Sequence, residues 1–209
     1  MQTLIVPFSR ILICKKITEK INIYKFAENK ITPIVDIFAC HNKKTIKLKF
    51  KIHEPIIEVQ NFHPNFASEI NKDSSISVIL QPYIRDPRNM ILRINAAGAY
   101  FISFGQWYWN RADCTFEENN FIKISNRYKK LIKSNSEYWE ISVRIHLPML
   151  FEFLNLTKWQ YSPGKIIYGN FLKVKKTPVE DSHFGMWNEV ECNTFDCYKS
   201  NNLGIFILE

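Results

Sequence analysis

The chain has 209 residues, of which 46% are hydrophobic, 23% charged and 14% aromatic, a globular balance that excludes disorder. Six glycines exclude collagen-like and Gly-rich sequence, and no apolar run approaches the roughly 18 residues of a membrane span, so no membrane partner is expected. A net charge of +8 favours contact with anions without naming one.

Leu4 to Val6 and Ile11 to Ile13 suggest a leader peptide. Arg10 interrupts that stretch, Lys15 and Lys16 end it, and no small-residue cleavage site follows. A cytoplasmic location is expected, with an extracellular one as the alternative if the start is misassigned. The five cysteines (14, 40, 114, 192 and 197) include no CxxC, so they read as thiols rather than zinc ligands.

Residues 46–52, Ile-Lys-Leu-Lys-Phe-Lys-Ile, alternate apolar and basic, the pattern of a strand with one wet face. Further strands are predicted over 76–80, 90–95, 99–104, 121–124, 138–147, 166–174 and 203–208, with 90–104 forming a hairpin through Gly98. A short helix is predicted over 148–154, opened by Pro148, and a basic turn or second short helix over 128–133. At least eight strands at turn-punctuated spacing, with no repeat or linker, predict one all-β domain over 1–209. The fold class is an antiparallel β-sandwich, immunoglobulin-like or jelly-roll-like, with one or two short helices.

The common catalytic signatures are missing. The five histidines (41, 53, 63, 146 and 183) contain no HExxH, and neither GxSxG nor a Walker loop occurs. Glu117-Glu118 and Glu180-Asp181 lie in polar stretches and read as solvated loops. The tryptophans say more. In Gln106-Trp107-Tyr108-Trp109-Asn110-Arg111 the two indoles project to one side if the segment is extended. Aromatic planes beside Gln, Asn and Arg suit a sugar, whose C–H face packs on a ring while its hydroxyls find planar polar partners. The same residues could instead cap the core. Trp139, in an alternating strand, reads as core, and Trp159 is open to either role. Alternation sets Arg93 and Asn95 on one strand face, opposite Leu92 and Ile94.

Five blocks then resemble the family 9-like carbohydrate-binding modules in order and spacing, over about residues 70–208. Residues 72–80 resemble the family's first acidic strand, and 92–98 its "FEFNxxG" hairpin strand. Residues 138–148 resemble "W..EV.IP", and 169–174 the "NFY+" strand. His183 to Val190, with Thr194 to Cys197 and Leu203 to Phe206, resemble the closing signature. The resemblance implies a sandwich of the family 9 and DOMON-like type that binds a mono- or oligosaccharide. On it, Trp107, Trp109 and Trp187 would stack on sugar, and Arg93, Asn95 and Arg111 would meet hydroxyls. Two usual acidic positions are Ser77 and Arg93 here. No cofactor is expected; calcium, found in some members, would need an oxygen-rich loop such as 61–73. Two alternatives remain. One is a glycoside-active enzyme or its accessory module, with two carboxylates across a cleft. The other is a basic β-protein that binds a polyanion such as nucleic acid; dispersed basic residues and the lack of a recognised motif speak against that.

Overall fold

A computed structural model describes residues 1–25, 32–54, 70, 72–106, 110–114, 121–131, 136–176, 182–190 and 203–209. In chain order the strands begin with β1 (Thr3–Val6), β2 (Glu19–Ile21), β3 (Ile23–Lys25), β4 (Ile34–His41) and β5 (Thr45–His53). Next come β6 (Ser75–Gln81), β7 (Asn89–Asn95), β8 (Tyr100–Gly105), β9 (Arg111–Asp113), β10 (Ile122–Leu131) and β11 (Ser136–His146). The helix α1 (Leu147–Phe153) precedes β12 (Lys165–Lys175), β13 (His183–Met186) and β14 (Gly204–Leu208).

Two sheets form the sandwich. The first runs β1-β14-β12-β6-β7-β8-β9, with β13 on the remaining length of β12 and β3 beyond it. The second runs β10-β11-β5-β4-β2. Pairing is antiparallel except between β1 and β14.

The alternation read in the sequence sets the two inner faces. Ile46, Leu48, Phe50 and Ile52 of β5 are fully buried, and the lysines between them turn outward. Opposite them lie Ile76, Val78 and Leu80 of β6, Leu92 and Ile94 of β7, and Phe171 of β12. Phe50 meets Phe171 edge-on across the gap, with ring centroids 5.3 Å apart. Trp139 is 1% exposed, as a strand tryptophan on the core face should be. Burial of such side chains supplies most of the stabilisation, about 25 cal/mol per Å² of apolar surface.

Two sequence expectations change. Residues 128–131 belong to β10, paired along its length with β11, and not to a turn or helix; pairing with a long neighbour overrides the local basic composition. The strands β1 to β4 lie where no alternation was visible, because β4 is buried on both faces over most of its length. Short β3 and β13 pair only with each other and with β12. The helix forms as expected, with Pro148 in its first turn. It is too short to cross a membrane, and no described helix is long and apolar enough to do so. It closes one end of the sandwich by burying Leu147, Leu150 and Phe151, and leaves Phe153 38% exposed.

Candidate functional site

Arg93 and Asn95 on β7 and Arg111 on β9 do share the outer face of the first sheet, opposite the core residues Leu92 and Ile94. The side chains of Asn95 and Arg111 serve structure there. Asn95 is fully buried. Its amide donates to Asp73 Oδ2 at 3.0 Å, and its oxygen accepts from the Ala99 N–H at 2.9 Å. It thus closes the β7–β8 turn, in which Gly98 takes a φ of 88° that favours glycine. Its expected role as a sugar ligand is corrected: no part of the side chain is exposed. Arg93 is half-buried and holds its guanidinium 6.0 Å from the Phe101 ring.

Arg111 is a clamp. Its Nε donates to Ser103 Oγ at 2.8 Å, Nη1 to Asn89 Oδ1 at 3.0 Å, and Nη2 to the carbonyls of Ser103 and Asn89 at 2.9 and 3.3 Å. It therefore pins β9 to β8 and β7 at the foot of the β8–β9 connection. Gly105 narrows the same neck: a Cβ there would sit 2.1 Å from the Asn110 carbonyl oxygen. Trp107 and Trp109 belong to this connection and lie outside the described residues.

Trp187 sits elsewhere. It is 0% exposed, with ring centroids 5.6 Å from Phe171 and 5.4 Å from Phe206. A Cβ on Gly204 would come within 2.3 Å of its ring. The platform role expected of it is corrected to a core role, since the indole offers no open face to a ligand. Trp159 resolves to the core as well, 9% exposed, with its N–H donating to the Lys43 carbonyl at 3.0 Å.

The ends of the β8–β9 connection, Gly105, Gln106 and Asn110, border a cavity of about 350 Å³. Gln106 and Asn110, both exposed, form one wall. Phe104 and Phe153 form another, stacked at 5.4 Å with their planes 7° apart. Phe121 backs them, 4.8 Å from Phe153. Arg88 and Asn155 complete the rim. Arg88 is held by Asp86, donating from Nε at 2.9 Å and also from Nη2, while Nη1 donates to the carbonyls of Leu154 and Asn155, each at 2.8 Å. The arginine thus fixes the end of α1 and the position of Phe153. Its hydrogen bonds hold the Asp86 carboxyl below the usual carboxylate range. Among the described residues, the cavity lining contains aromatic, amide and guanidinium groups and no carboxylate.

Neither Phe153 nor Arg88 stood out in the sequence as a candidate site residue. Phe153 lies three residues after Leu150, at the edge of the buried face of α1, and only the packing of α1 against the end of the sheets brings it beside β8. Phe104 carried a partial signal, as the last aromatic before the tryptophan-bearing segment.

The signature blocks also find their places. Asn170 on β12 holds Asn188 from both sides, donating to its carbonyl and accepting from its N–H, each at 2.9 Å. Phe171 packs on Trp187, and Lys173 donates to His183 Nε2 at 2.8 Å. These residues clasp β12 to β13 and the segment after it. The sequence matches carbohydrate-binding family 9 over residues 8–208. The chain belongs to this family.

Solved structures agree on the fold. A proposed carbohydrate-binding protein from Bacteroides uniformis ATCC 8492 superposes with a TM-score of 0.77 at 18% identity, covering 100% of this chain and 99% of that one. A family 9 module from Caldicellulosiruptor kristjanssonii, in complex with cellotriose, gives 0.63 at 10% identity over 100% and 94%. A module of the same family and organism in complex with glucose gives 0.59 at 9% identity over 100% and 96%. No curated protein matches the chain. The calcium expectation for 61–73 falls mostly outside the described residues, as do Glu117-Glu118, Glu180-Asp181, Cys192 and Cys197. Of that loop, Asp73 is described, and it accepts from Asn95. Among the described residues, no group of three or more metal-ligating side chains occurs.

Proposed function

We propose that the chain is a non-catalytic saccharide-binding module whose ligand lies in the cavity beside the β8–β9 connection. The observation that carries this reading is the Phe104–Phe153 stack, open to solvent on Phe153, at the neck of the segment bearing Trp107 and Trp109. A pyranose ring stacks its C–H face on Phe153, and its hydroxyls bond the amides of Gln106 and Asn110. Family 9 membership and the two modules solved with glucose and cellotriose support a neutral sugar as ligand. Among the described residues the lining holds no carboxylate, which supports binding over hydrolysis, because glycoside cleavage uses a pair of them. The reading requires no cofactor.

A shallow site of this kind binds in the micromolar to millimolar range, about −4 to −8 kcal/mol. Calorimetric titration with glucose and cellotriose tests the proposal, run on the native protein and on Phe153→Ala, Trp107→Ala and Trp109→Ala. Expected is binding that weakens about tenfold or more in at least the Phe153 variant, with unfolding temperature retained. Saccharide binding that survives all three substitutions would place the site elsewhere.

A further inference from the structure

We infer that the outer face of the second sheet is a separate site for an acidic sugar, whose carboxylate is held by Lys123, Arg144 and Lys47. These residues stand abreast on three adjacent strands: Lys123 of β10 pairs with Arg144 of β11, and Arg144 pairs with Lys47 of β5. Strands are about 4.8 Å apart, so the row of cations spans about 10 Å.

Like charges directly opposite one another destabilise a sheet. Among the described residues no acidic side chain pairs with this row; Glu140, four residues before Arg144 on the same face, is taken by Lys49. Lys123 and Arg144 are exposed, and neither has an ion-pair partner there. Lys47 donates only to the Leu12 carbonyl, at 3.1 Å. The row borders a cavity of about 460 Å³ on this face, within the size range of small-ligand sites. An arginine fork binds a carboxylate through two parallel hydrogen bonds, with lysines adding point charge on either side.

The rest of the cavity separates a sugar acid from a nucleic acid. Ser142 and Glu140 continue the Arg144 face along β11, and Ser125 stands beside Ser142 on β10. Glu140 accepts from Lys49 at 2.7 Å and keeps a 13% exposed side chain. A carboxylate with two flanking hydroxyls accepts and returns hydrogen bonds to sugar hydroxyls, but repels a chain of phosphates. Nucleic-acid grooves also present bare aromatic rings for base stacking. Here Phe38 and Tyr138 are covered by Lys49 and Lys51, whose ammonium groups lie 5.1 and 4.2 Å from the ring centroids. A uronate unit satisfies the whole lining: its carboxylate on the cation row, its hydroxyls on Glu140 and Ser142. That the carboxylate belongs to a sugar rests on the saccharide reading above.

The test is calorimetric titration of the full chain with trigalacturonate, with its methyl ester, with cellotriose, and with a single-stranded oligodeoxynucleotide of matched charge. Native protein, Arg144→Ala and Phe153→Ala are compared. Expected is trigalacturonate binding that falls about tenfold on esterification and about tenfold in Arg144→Ala, weakens with salt, and is unchanged in Phe153→Ala. Cellotriose binding should show the opposite dependence on the two variants, so a failure of the neutral site is read independently. Arg144 is exposed, and an unchanged melting temperature confirms that its variant is folded. Equal affinity for acid and ester, an unaffected Arg144→Ala, no trigalacturonate binding by the native protein, or tighter binding of the oligonucleotide would each overturn the assignment.

Discussion

The ammonium of Lys173 lies 3.3 Å from Glu54 Oε1, with the two side chains 0% and 1% exposed. Lys173 belongs to the first sheet and Glu54 directly follows β5 of the second, so the pair ties the layers together at their interior. Every remaining valence is used. Lys173 also donates to Ser74 Oγ and His183 Nε2, each at 2.8 Å. Glu54 Oε2 accepts from the Ser74 hydroxyl and, at 3.0 Å, from Trp139 Nε1.

Removing one charge from such a pair strands the other in a low-dielectric interior. Lys173→Met should therefore cost about 3–5 kcal/mol of folding stability. The double variant Lys173→Met/Glu54→Gln should cost clearly less than the two single losses added together. Urea unfolding of the four proteins measures this. Additive losses would show that the charges do not depend on each other.

Trp187 presents a second, purely structural prediction. Its ring is enclosed by Phe171, Phe206 and Gly204, and its buried Nε1 has no hydrogen-bond partner among the described residues. Trp187→Ala empties a large volume and should cost about 3–5 kcal/mol. Trp187→Phe should cost less, because it keeps an aromatic ring and removes an unpaired N–H. Saccharide affinity per folded molecule should stay within about twofold in the Phe variant. A selective loss of affinity with stability intact would return Trp187 to the binding surface.

The contrast between Trp187 and Phe153 shows which parts of this molecule were legible in the sequence. Period-two alternation identified β5, β7 and β11 and their inward faces, because a half-buried strand writes its geometry into residue order. It failed at β4, where His41 and Asp36 are buried along with the apolar residues, so no wet face remains to alternate. Arg93 and Asn95 were assigned correctly to one strand face, and Arg111 joins that face only through the pairing of β9 with β8. That Asn95 and Arg111 would be spent on turn and strand fixation depends on Asp73, Ser103 and Asn89, partners distant in sequence. Aromatic content pointed to a sugar platform near 106–111, but the ring of Phe153 arrives there only through tertiary packing.

His41 should make stability pH-dependent. The side chain is fully buried, and burial pushes its pKa below the ordinary 6.5, with the hydrogen bond to the main-chain oxygen of Glu209 opposing the shift. The Lys43 N–H donates to Nδ1 at 3.2 Å, so the ring proton sits on Nε2 and is given to Glu209 at 2.6 Å. The ring is neutral in this arrangement. Above pH 6.5 it is neutral in both folded and unfolded chains and costs nothing. As pH falls through 6.5 the unfolded chain takes up a proton that the folded one resists, so stability is lost over that descent. The urea midpoint should drop between pH 7.5 and 5 more steeply for the native protein than for His41→Gln. Parallel curves would assign the acid sensitivity to other groups.

The neck of the β8–β9 connection links fold to binding most directly. Gly105 lets its own strand end run against the Asn110 carbonyl, where a Cβ would stand 2.1 Å from the oxygen and 2.9 Å from the Arg111 Cα. Both obstacles are backbone, so no side-chain adjustment relieves them. Gly105→Ala must spread the neck, moving Gln106 and Asn110 apart. The hydrogen bonds of Arg111 to Ser103 and Asn89 lie one residue further in and keep β9 in place, so most of the sheet should persist. With Gln106 and Asn110 displaced, the two amides have to be drawn together again on binding, at about 1 kcal/mol, or roughly a fivefold loss of cellotriose affinity. Arg111→Ala should act in the same direction by releasing the strand itself, with a larger fall in unfolding temperature. Calorimetric titration and thermal unfolding of both variants separate the two effects. Native affinity in a folded Gly105→Ala protein would mean that the connection does not hold the sugar.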